Sequence, residues 1–461
     1  MPKQEKSTSI PAHTLQYGPN DKPPLITSLI VALQFISASL ATIIAPPLII
    51  ADGLGLSNAD ASFLISTSLF CAGISTFIQT KRIGKIGTGL LVIEGANITF
   101  VGVIIAAGIK FIAKEQGQGI EIAVAQSHAL GMIFCGLLAA SLIVVGLSFL
   151  IKYCQKLLPP IVLGVIVSLV GLCLIKVGAI ACGGGEQALI AGTFGQARML
   201  IVSASVIFIT ILCQFSKIRL FSMVSVLWGF IGGTILAFCF DLIPTADYSG
   251  IQAMNIPRPF AYGFGFEWGF FLNMTLLSTL LMISTAGIIT SSCVASEEAV
   301  VGENFIKRMS GGVLGQTVNS CIAAVFSCIP QTPYAVINGL IPLSGIASRR
   351  IGYIASVMLV VAGIFPVVAQ TFILIPQPVL GGASLLLFGS IAVSGIQILL
   401  NQPLDNRSTL IIGISFAIGL SVELYPLLLS KLPELLRDVC SSGITVGSFT
   451  AVILNVCLPK K

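Results

Sequence analysis

The sequence has few charged residues and very few histidines. Only 9% of its 461 residues are charged, two are histidine, and 55% are hydrophobic. A soluble protein of this length cannot bury so much apolar surface, so the composition predicts a polytopic membrane protein. The net charge of +6 does not indicate nucleic-acid binding, because the basic residues lie in short segments between apolar runs.

The sequence also lacks a recognisable metal site or catalytic constellation. His13 and His128 are far apart in the sequence, and neither lies near another plausible metal ligand. The 12 cysteines lie mostly inside apolar runs without paired spacing, and we interpret them as small core residues. No nucleophile–base pair is apparent, so we expect neither an enzyme nor a bound cofactor.

Hydropathy predicts fourteen membrane spans and no secretory signal. The polar residues 1–24 precede an apolar run that is too long for the h-region of a signal peptide. The predicted spans are 25–50, 61–80, 88–109, 126–150, 158–180, 198–215, 220–240, 268–290, 311–329, 333–346, 352–372, 378–399, 408–424 and 440–458. The predicted organisation is an N-terminal tail (1–24), a first set of seven spans (25–240), a connection (241–267), a second set (268–458) and a C-terminal tail (459–461).

The basic residues support an even number of spans. With the N-terminus inside, 17 of the 24 Lys and Arg residues fall in cytoplasmic segments. The positive-inside rule therefore predicts that both termini are cytoplasmic and that the connection 241–267 lies outside. We expect the protein in the cytoplasmic membrane, with the lipid bilayer as its surroundings.

The stretch 330–349 is uncharged up to Arg349 and contains Pro330, Pro333, Gly339, Pro342 and Gly345. These residues rule out one continuous helix across it. Irregular backbone at membrane depth persists only where protein or a watery cavity satisfies its N–H and C=O groups. Transporters bind cargo at broken spans of this kind, whereas a membrane-dipping surface loop is the alternative interpretation.

A short motif recurs seven spans apart. PIVLG (160–164) opens the fifth predicted span and PVLG (378–381) opens the twelfth. Repeats an odd number of spans apart have opposite orientations in the membrane. The motif therefore predicts two inverted seven-span repeats, with broken elements in the third and tenth positions.

Five further segments carry a family resemblance. They are PPIVLGVIVSLVGL (159–172), KRMSGGVL (307–314), GIASRRIGY (345–353), PQPVLGG (376–382) and LFGSIAVSGI (387–396). These segments resemble the nucleobase–ascorbate transporter family, the xanthine and uracil permeases. The resemblance implies an all-α polytopic fold of two inverted repeats, with core and gate domains and short strands in the third and tenth spans. It also implies proton symport of a purine or related nucleobase and a homodimer joined through the gate domain.

The residues that this family uses at its site are replaced here. The matching positions are Val336, Ile337, Asn338 and Gly339 for Gln-Asn-x-Gly in the tenth span, Ser284 and Ile288 for the eighth-span carboxylates, Gln316 for the ninth-span Asp and Phe35 for a first-span His. A cargo left with unpaired buried polar groups loses roughly 1–3 kcal/mol for each of them. We nevertheless take these eighth- and tenth-span positions as the candidate substrate site, and Gln316 as a candidate coupling residue.

One ionisable residue lies inside the third predicted span. Glu94 precedes GANITF (95–100), which resembles the third-span strand of the family. One hypothesis is that Glu94 carries the coupling proton, while Asn97 or Thr99 hydrogen-bonds the cargo and Phe100 stacks on it. In the alternative, Glu94 is a hydrogen-bonded packing group between helices and Phe100 is a core aromatic.

Three functions stay open on the sequence alone. The leading one is a secondary transporter for a nucleobase or a similar small planar solute. An anion carrier on the same fold is the second, because half-helix N-termini present positive dipole ends and three carboxylates are missing. The third is a membrane sensor that keeps the fold without the transport cycle.

Overall fold

The computed structural model describes residues 15–150, 159–218, 221–222, 225–243, 254–365, 375–400, 402, 404–429, 431 and 443–459. Most of the predicted N-terminal tail, including His13, and part of the connection 241–267 lie outside these residues. The helices are α1 (Leu25–Gly53), α2 (Asn58–Lys81), α3 (Val101–Gln116), α4 (Ile122–Ser148), α5 (Pro160–Cys182), α6 (Gly185–Ile190), α7 (Ala197–Gln214), α8 (Ser225–Cys239), α9 (Trp268–Ala295), α10 (Glu303–Val325), α11 (Ala335–Ser344), α12 (Arg349–Ile364), α13 (Gln377–Leu400), α14 (Asn406–Leu424) and α15 (Gly443–Cys457). Two strands, β1 (Glu94–Ala96) and β2 (Gln331–Pro333), complete the regular structure together with short 3₁₀ turns.

Each of the fourteen predicted spans contains one of these helices, and α6 is an additional short helix. Within the described residues, eight helices are long and apolar enough to cross a membrane by length and composition alone. The helix of the third span begins only at Val101, and that of the tenth span is ten residues long. The all-α polytopic fold with strands in its broken third and tenth spans is therefore confirmed.

The helices pack as two groups. The core group contains α1–α4, α9–α12 and both strands, and the gate group contains α5–α8 and α13–α15. In the gate group, α5 and α13 approach so closely that a Cβ on Gly171 would collide with the backbone of Ala392. Small residues at such crossings let helix backbones meet in a membrane, where the hydrophobic effect does not hold helices together.

Helix contacts recur seven spans apart. Helix α1 packs on α2 as α9 packs on α10, and α2 packs on α12 as α10 packs on α4. In the gate group, α7 packs on α8 as α14 packs on α15. Two repeats related by a two-fold axis would produce this pairing, and the boundaries given above for the two sets stay a prediction.

The two interrupted spans meet in an antiparallel strand pair. Glu94 lies opposite Pro333, Gly95 opposite Thr332, and Ala96 opposite Gln331. All six residues are buried. The pairing gives hydrogen-bond partners to backbone that would otherwise be unsatisfied at membrane depth.

The interruption of the tenth span ends at Tyr334. Gly339 and Pro342 both lie inside α11, although glycine and proline at these positions predict an interruption of the helix. Pro342 is tolerated because the missing hydrogen bond falls near the end of a short helix. Gly339 is needed for packing, since a Cβ there would meet the carbonyl oxygen of Leu387 on α13 at 2.5 Å.

Candidate functional site

The candidate site lies where the two strands pass into two half-helices. After β1 the chain makes a 3₁₀ turn (Ile98–Phe100) and enters α3, and after β2 it enters α11 directly. Because the strands are antiparallel, the two half-helices run away from the pair in opposite directions. Their N-terminal N–H groups and positive dipole ends therefore face a common region beside α1 and α9.

Tyr334 links the two halves of this region. Its hydroxyl lies 2.9 Å from the carbonyl oxygen of Ala96 and 3.1 Å from that of Thr42 on α1. Its backbone N–H donates to the carbonyl of Ile93 at 2.9 Å. The ring covers Gly95, where a Cβ would collide with the hydroxyl, so glycine is required at that position in β1.

Asn338 fastens α11 to α9. Its Nδ2 donates to the carbonyl of Ile288 at 3.0 Å, and its Oδ1 accepts from the Ser292 hydroxyl at 2.8 Å. The side chain is almost fully buried. These bonds place two predicted site residues, Asn338 and Ile288, in direct contact. Both the amide nitrogen and the amide oxygen of Asn338 are therefore hydrogen-bonded within the protein.

The other predicted residues of α9 and α11 differ in their exposure. Ile337 is fully buried in an apolar cluster with Leu340, and Val336 is nearly so. Ser284 lies one helical turn before Ile288 and is half-buried. Gly339 faces α13, so its part in the site is to bring the gate group against the half-helix.

The predicted site residues of the third span also differ in their exposure. Asn97 is half-buried and caps the 3₁₀ turn, with its Oδ1 accepting from the Thr99 N–H at 2.8 Å. Thr99 is exposed. Phe100 is fully buried in an apolar cluster with Leu54 and Ile104, which is the position of a core aromatic.

Glu94 is held by two amide side chains from neighbouring helices. Gln79 Nε2 on α2 donates to Glu94 Oε1 at 2.6 Å, and Asn319 Nδ2 on α10 donates to Glu94 Oε2 at 2.5 Å. Thr76 accepts from the Glu94 N–H at 3.2 Å. Among the Asp, Glu, Lys, Arg and His residues whose side chains the structure describes, only Glu94 is buried. The side chain thus joins β1 to α2 and α10.

Gln316 on α10 is hydrogen-bonded to strand β2. Its Nε2 donates to the carbonyl of Gln331 at 2.9 Å, and its buried Oε1 has no partner among the described residues. A neutral amide therefore supports β2 from the position where the resembling family has its Asp.

Sequence reasoning missed Gln79, Asn319, Ser292 and Tyr334. The first three are polar side chains inside apolar helices, and that unusual placement is the signal that could have drawn attention to them. Their partners are distant in sequence, so no local pattern connects Asn319 to Glu94.

The chain has clear relatives among known proteins. The model of the Xan_ur_permease family, described as "Permease family", matches residues 27–428. Xanthine permease XanP of Escherichia coli (strain K12) is 36% identical over 448 residues, which cover 97% of this chain and 95% of that protein. Xanthine permease XanQ of the same strain is 35% identical over 439 residues, covering 95% of this chain and 92% of that protein. These names describe permeases, in agreement with the expectation that the chain is not an enzyme.

A solved structure shares the fold. The overall structure of SLC26A9 matches 93% of this chain and 65% of that chain, with a TM-score of 0.51. The sequence identity is only 12%, so this likeness shows the fold and carries no inference about the solute.

Asn338→Ala is expected to destabilise the protein by roughly 1–3 kcal/mol, because it leaves the Ser292 hydroxyl and the Ile288 carbonyl without their partner. The measurement is the thermal unfolding midpoint in detergent. Asn304→Ala, at an exposed position in the first turn of α10, is the matched control and should change little. The double variant Asn338→Ala/Ser292→Ala should lose less stability than the sum of the two single losses. Fully additive losses would contradict an energetic contribution from the hydrogen bond between these side chains.

Proposed function

This chain belongs to the Xan_ur_permease family, and from that membership we propose that it is a secondary transporter for a purine or related nucleobase in the cytoplasmic membrane. The observation that carries the proposal is the meeting of two half-helix N-termini at the β1–β2 pair, beside α1 and α9. Broken helices at the bilayer midplane are the usual cargo site of secondary transporters.

We propose that backbone groups replace the missing side-chain amides in cargo recognition. The first N–H groups of α11, those of Ala335 and Val336, have no acceptor within their own helix. We propose that they donate to the carbonyl oxygens of an oxidised purine. Ser284 and Thr99 add hydroxyl groups that donate or accept, which suits the alternating pattern of a purine edge.

We propose proton symport with Glu94 as the coupling group. Glu94 is a buried carboxyl in β1, and its strand partner Pro333 directly precedes Tyr334. Its two amide partners come from different helices, and Asn319 Oδ1 has no donor among the described residues. If the Asn319 amide rotates, its Oδ1 can accept a hydrogen bond from the protonated carboxyl of Glu94. Glu94 can therefore gain a proton without moving.

We propose that the core and gate groups move against each other in alternating access. Gln214, at the end of α7 in the gate group, donates from Nε2 to the carbonyl of Leu343 in α11 at 2.9 Å. Its Oε1 accepts from Ser225 of α8 at 2.7 Å. Leu343 lies at the predicted cytoplasmic end of α11, so this contact closes the region between the groups on that side. A homodimer joined through the gate group stays a prediction.

The test of the function is uptake of labelled xanthine, urate, hypoxanthine, guanine and uracil by permease-deficient cells that express the chain. Saturable uptake of one base is the expected result. Labelled sulfate and bicarbonate are measured in the same cells, since the dipole ends of the two half-helices would also suit an anion. Uptake of an anion and of no base would overturn the proposal, as would no uptake with the protein present in the membrane.

Glu94→Gln is expected to leave base binding intact and to remove the pH dependence of uptake between pH 5.5 and 7.5. The new amide has nearly the same shape: its oxygen can still accept from Gln79 Nε2, and its nitrogen can donate to Asn319 Oδ1 if the Asn319 amide rotates. It cannot carry a proton. Glu297→Gln, at an exposed cytoplasmic position, is the control and should keep the pH dependence. If Glu94→Gln transports with the original pH profile, another group carries the proton.

Gln214→Leu is expected to loosen the closure between the groups, because Leu343 loses its donor and Ser225 its acceptor. Hydrogen–deuterium exchange of residues 335–344 should become faster. Gln126→Leu is the matched control, since Gln126 also donates to backbone carbonyls, those of Leu54 and Gly55, but within the core group. Equal exchange in 335–344 for both variants would exclude a special role of Gln214.

A further inference from the structure

Three arginines from different helices converge at the predicted cytoplasmic side of the core group. Arg82 follows α2, Arg308 lies near the start of α10, and Arg349 is the first residue of α12. They meet around Gly89, in the coil that leads from α2 to β1. A Cβ on Gly89 would lie 3.4 Å from Arg349 Nη2 and 3.5 Å from Arg82 Cβ. Arg308 Nη1 donates to the carbonyl oxygen of Gly89 at 3.4 Å.

The negative charge beside this cluster is smaller than the positive charge. Arg308 Nη2 pairs with Glu298 Oε1 at 2.8 Å. Across the part of the chain that the structure describes, no carboxylate lies within 4.0 Å of the guanidinium groups of Arg82 or Arg349. Arg349 Nε is buried and has no hydrogen-bond acceptor among the same residues. Among the described residues, Glu298 is therefore the one carboxylate that pairs with any of these three partly buried arginines.

Partly buried guanidinium groups are stabilised by an anion that offers several oxygen acceptors. A guanidinium presents its N–H donors in a planar fork that matches the oxygens of a phosphate group. The N-terminus of α12, capped by Ser348, adds a positive dipole end at Arg349. Basic pockets between membrane helices on the cytoplasmic side also suit the headgroups of anionic lipids.

We propose that Arg82, Arg308 and Arg349 form a binding site for a phosphate group, supplied by an anionic lipid headgroup or by a free phosphate compound of the cytoplasm. The site is separate from the cargo region, because it lies at the cytoplasmic end of the coil and not at the half-helix N-termini. A phosphate held there ties α2, α10 and α12 together around the coil that carries Glu94 into β1. The bound anion thus stabilises the core group whatever solute the protein carries.

The test is the thermal unfolding midpoint of the purified full-length protein in neutral detergent. Inorganic phosphate is titrated at constant ionic strength against chloride, and in a second arm phosphatidylglycerol is compared with phosphatidylcholine in the micelles. A ligand that binds only the folded state raises the midpoint. We expect a rise in at least one arm: phosphate alone identifies a soluble phosphate compound, and phosphatidylglycerol alone identifies a lipid headgroup.

Arg349→Gln should lower the affinity of the protein for the anion that raises the midpoint, at least tenfold. Lys307→Gln is the matched control, since it removes one positive charge next to Arg308 from an exposed side chain whose one ion pair among the described residues is with Glu303. If Arg349→Gln folds poorly, Arg82→Gln replaces it and should also lower the affinity for that anion. No rise in either arm for the unaltered protein, or equal rises in the Arg and Lys variants, would overturn the site.

Discussion

The structure depends on one requirement of the bilayer interior, namely that every backbone N–H and C=O finds a partner inside the protein. Two spans of this chain are interrupted at membrane depth, and each would be unstable alone. They satisfy each other by forming the pair β1–β2. The rest of the core group supports that pair: Tyr334 bonds across it, Gln316 holds β2 and Glu94 holds β1 against α2 and α10.

The same requirement explains why several polar side chains near the strand pair are already engaged by the protein. Asn338, Asn97 and Gln316 carry the side chains that one would first assign to cargo, and each already bonds to backbone or hydroxyl groups of the protein. Among the described residues, what stays available includes the start of each half-helix, several buried hydroxyls and the amide of Gln34 on α1, which has no hydrogen-bond partner there. A site of that kind recognises shape and a small number of hydrogen-bond positions, and it relies on the helices being held rigidly.

Much of the fold could be predicted because its signals are local. Apolar runs gave the spans, the positions of Lys and Arg gave an orientation, and the prolines at 330 and 333 marked the break in the tenth span. Gly339 and Pro342 showed the limit of that reasoning. Proline and glycine predict a break from backbone preferences alone, whereas the packing of α11 against α13 decides that both residues fit within the helix. The partners of Glu94 were beyond reach for the same reason, since they come from parts of the chain that only the fold brings together.

Gly339 has a consequence for any sliding between the two groups of helices. At this point α11 meets the backbone of Leu387 with no side chain between them. Interlocked side chains hold packed surfaces in a few discrete positions, and each step between those positions requires rotamer changes. With no side chain at residue 339, a shift of α11 along α13 requires no rotamer change of that residue, whereas any larger residue there would push the half-helix away from the gate group.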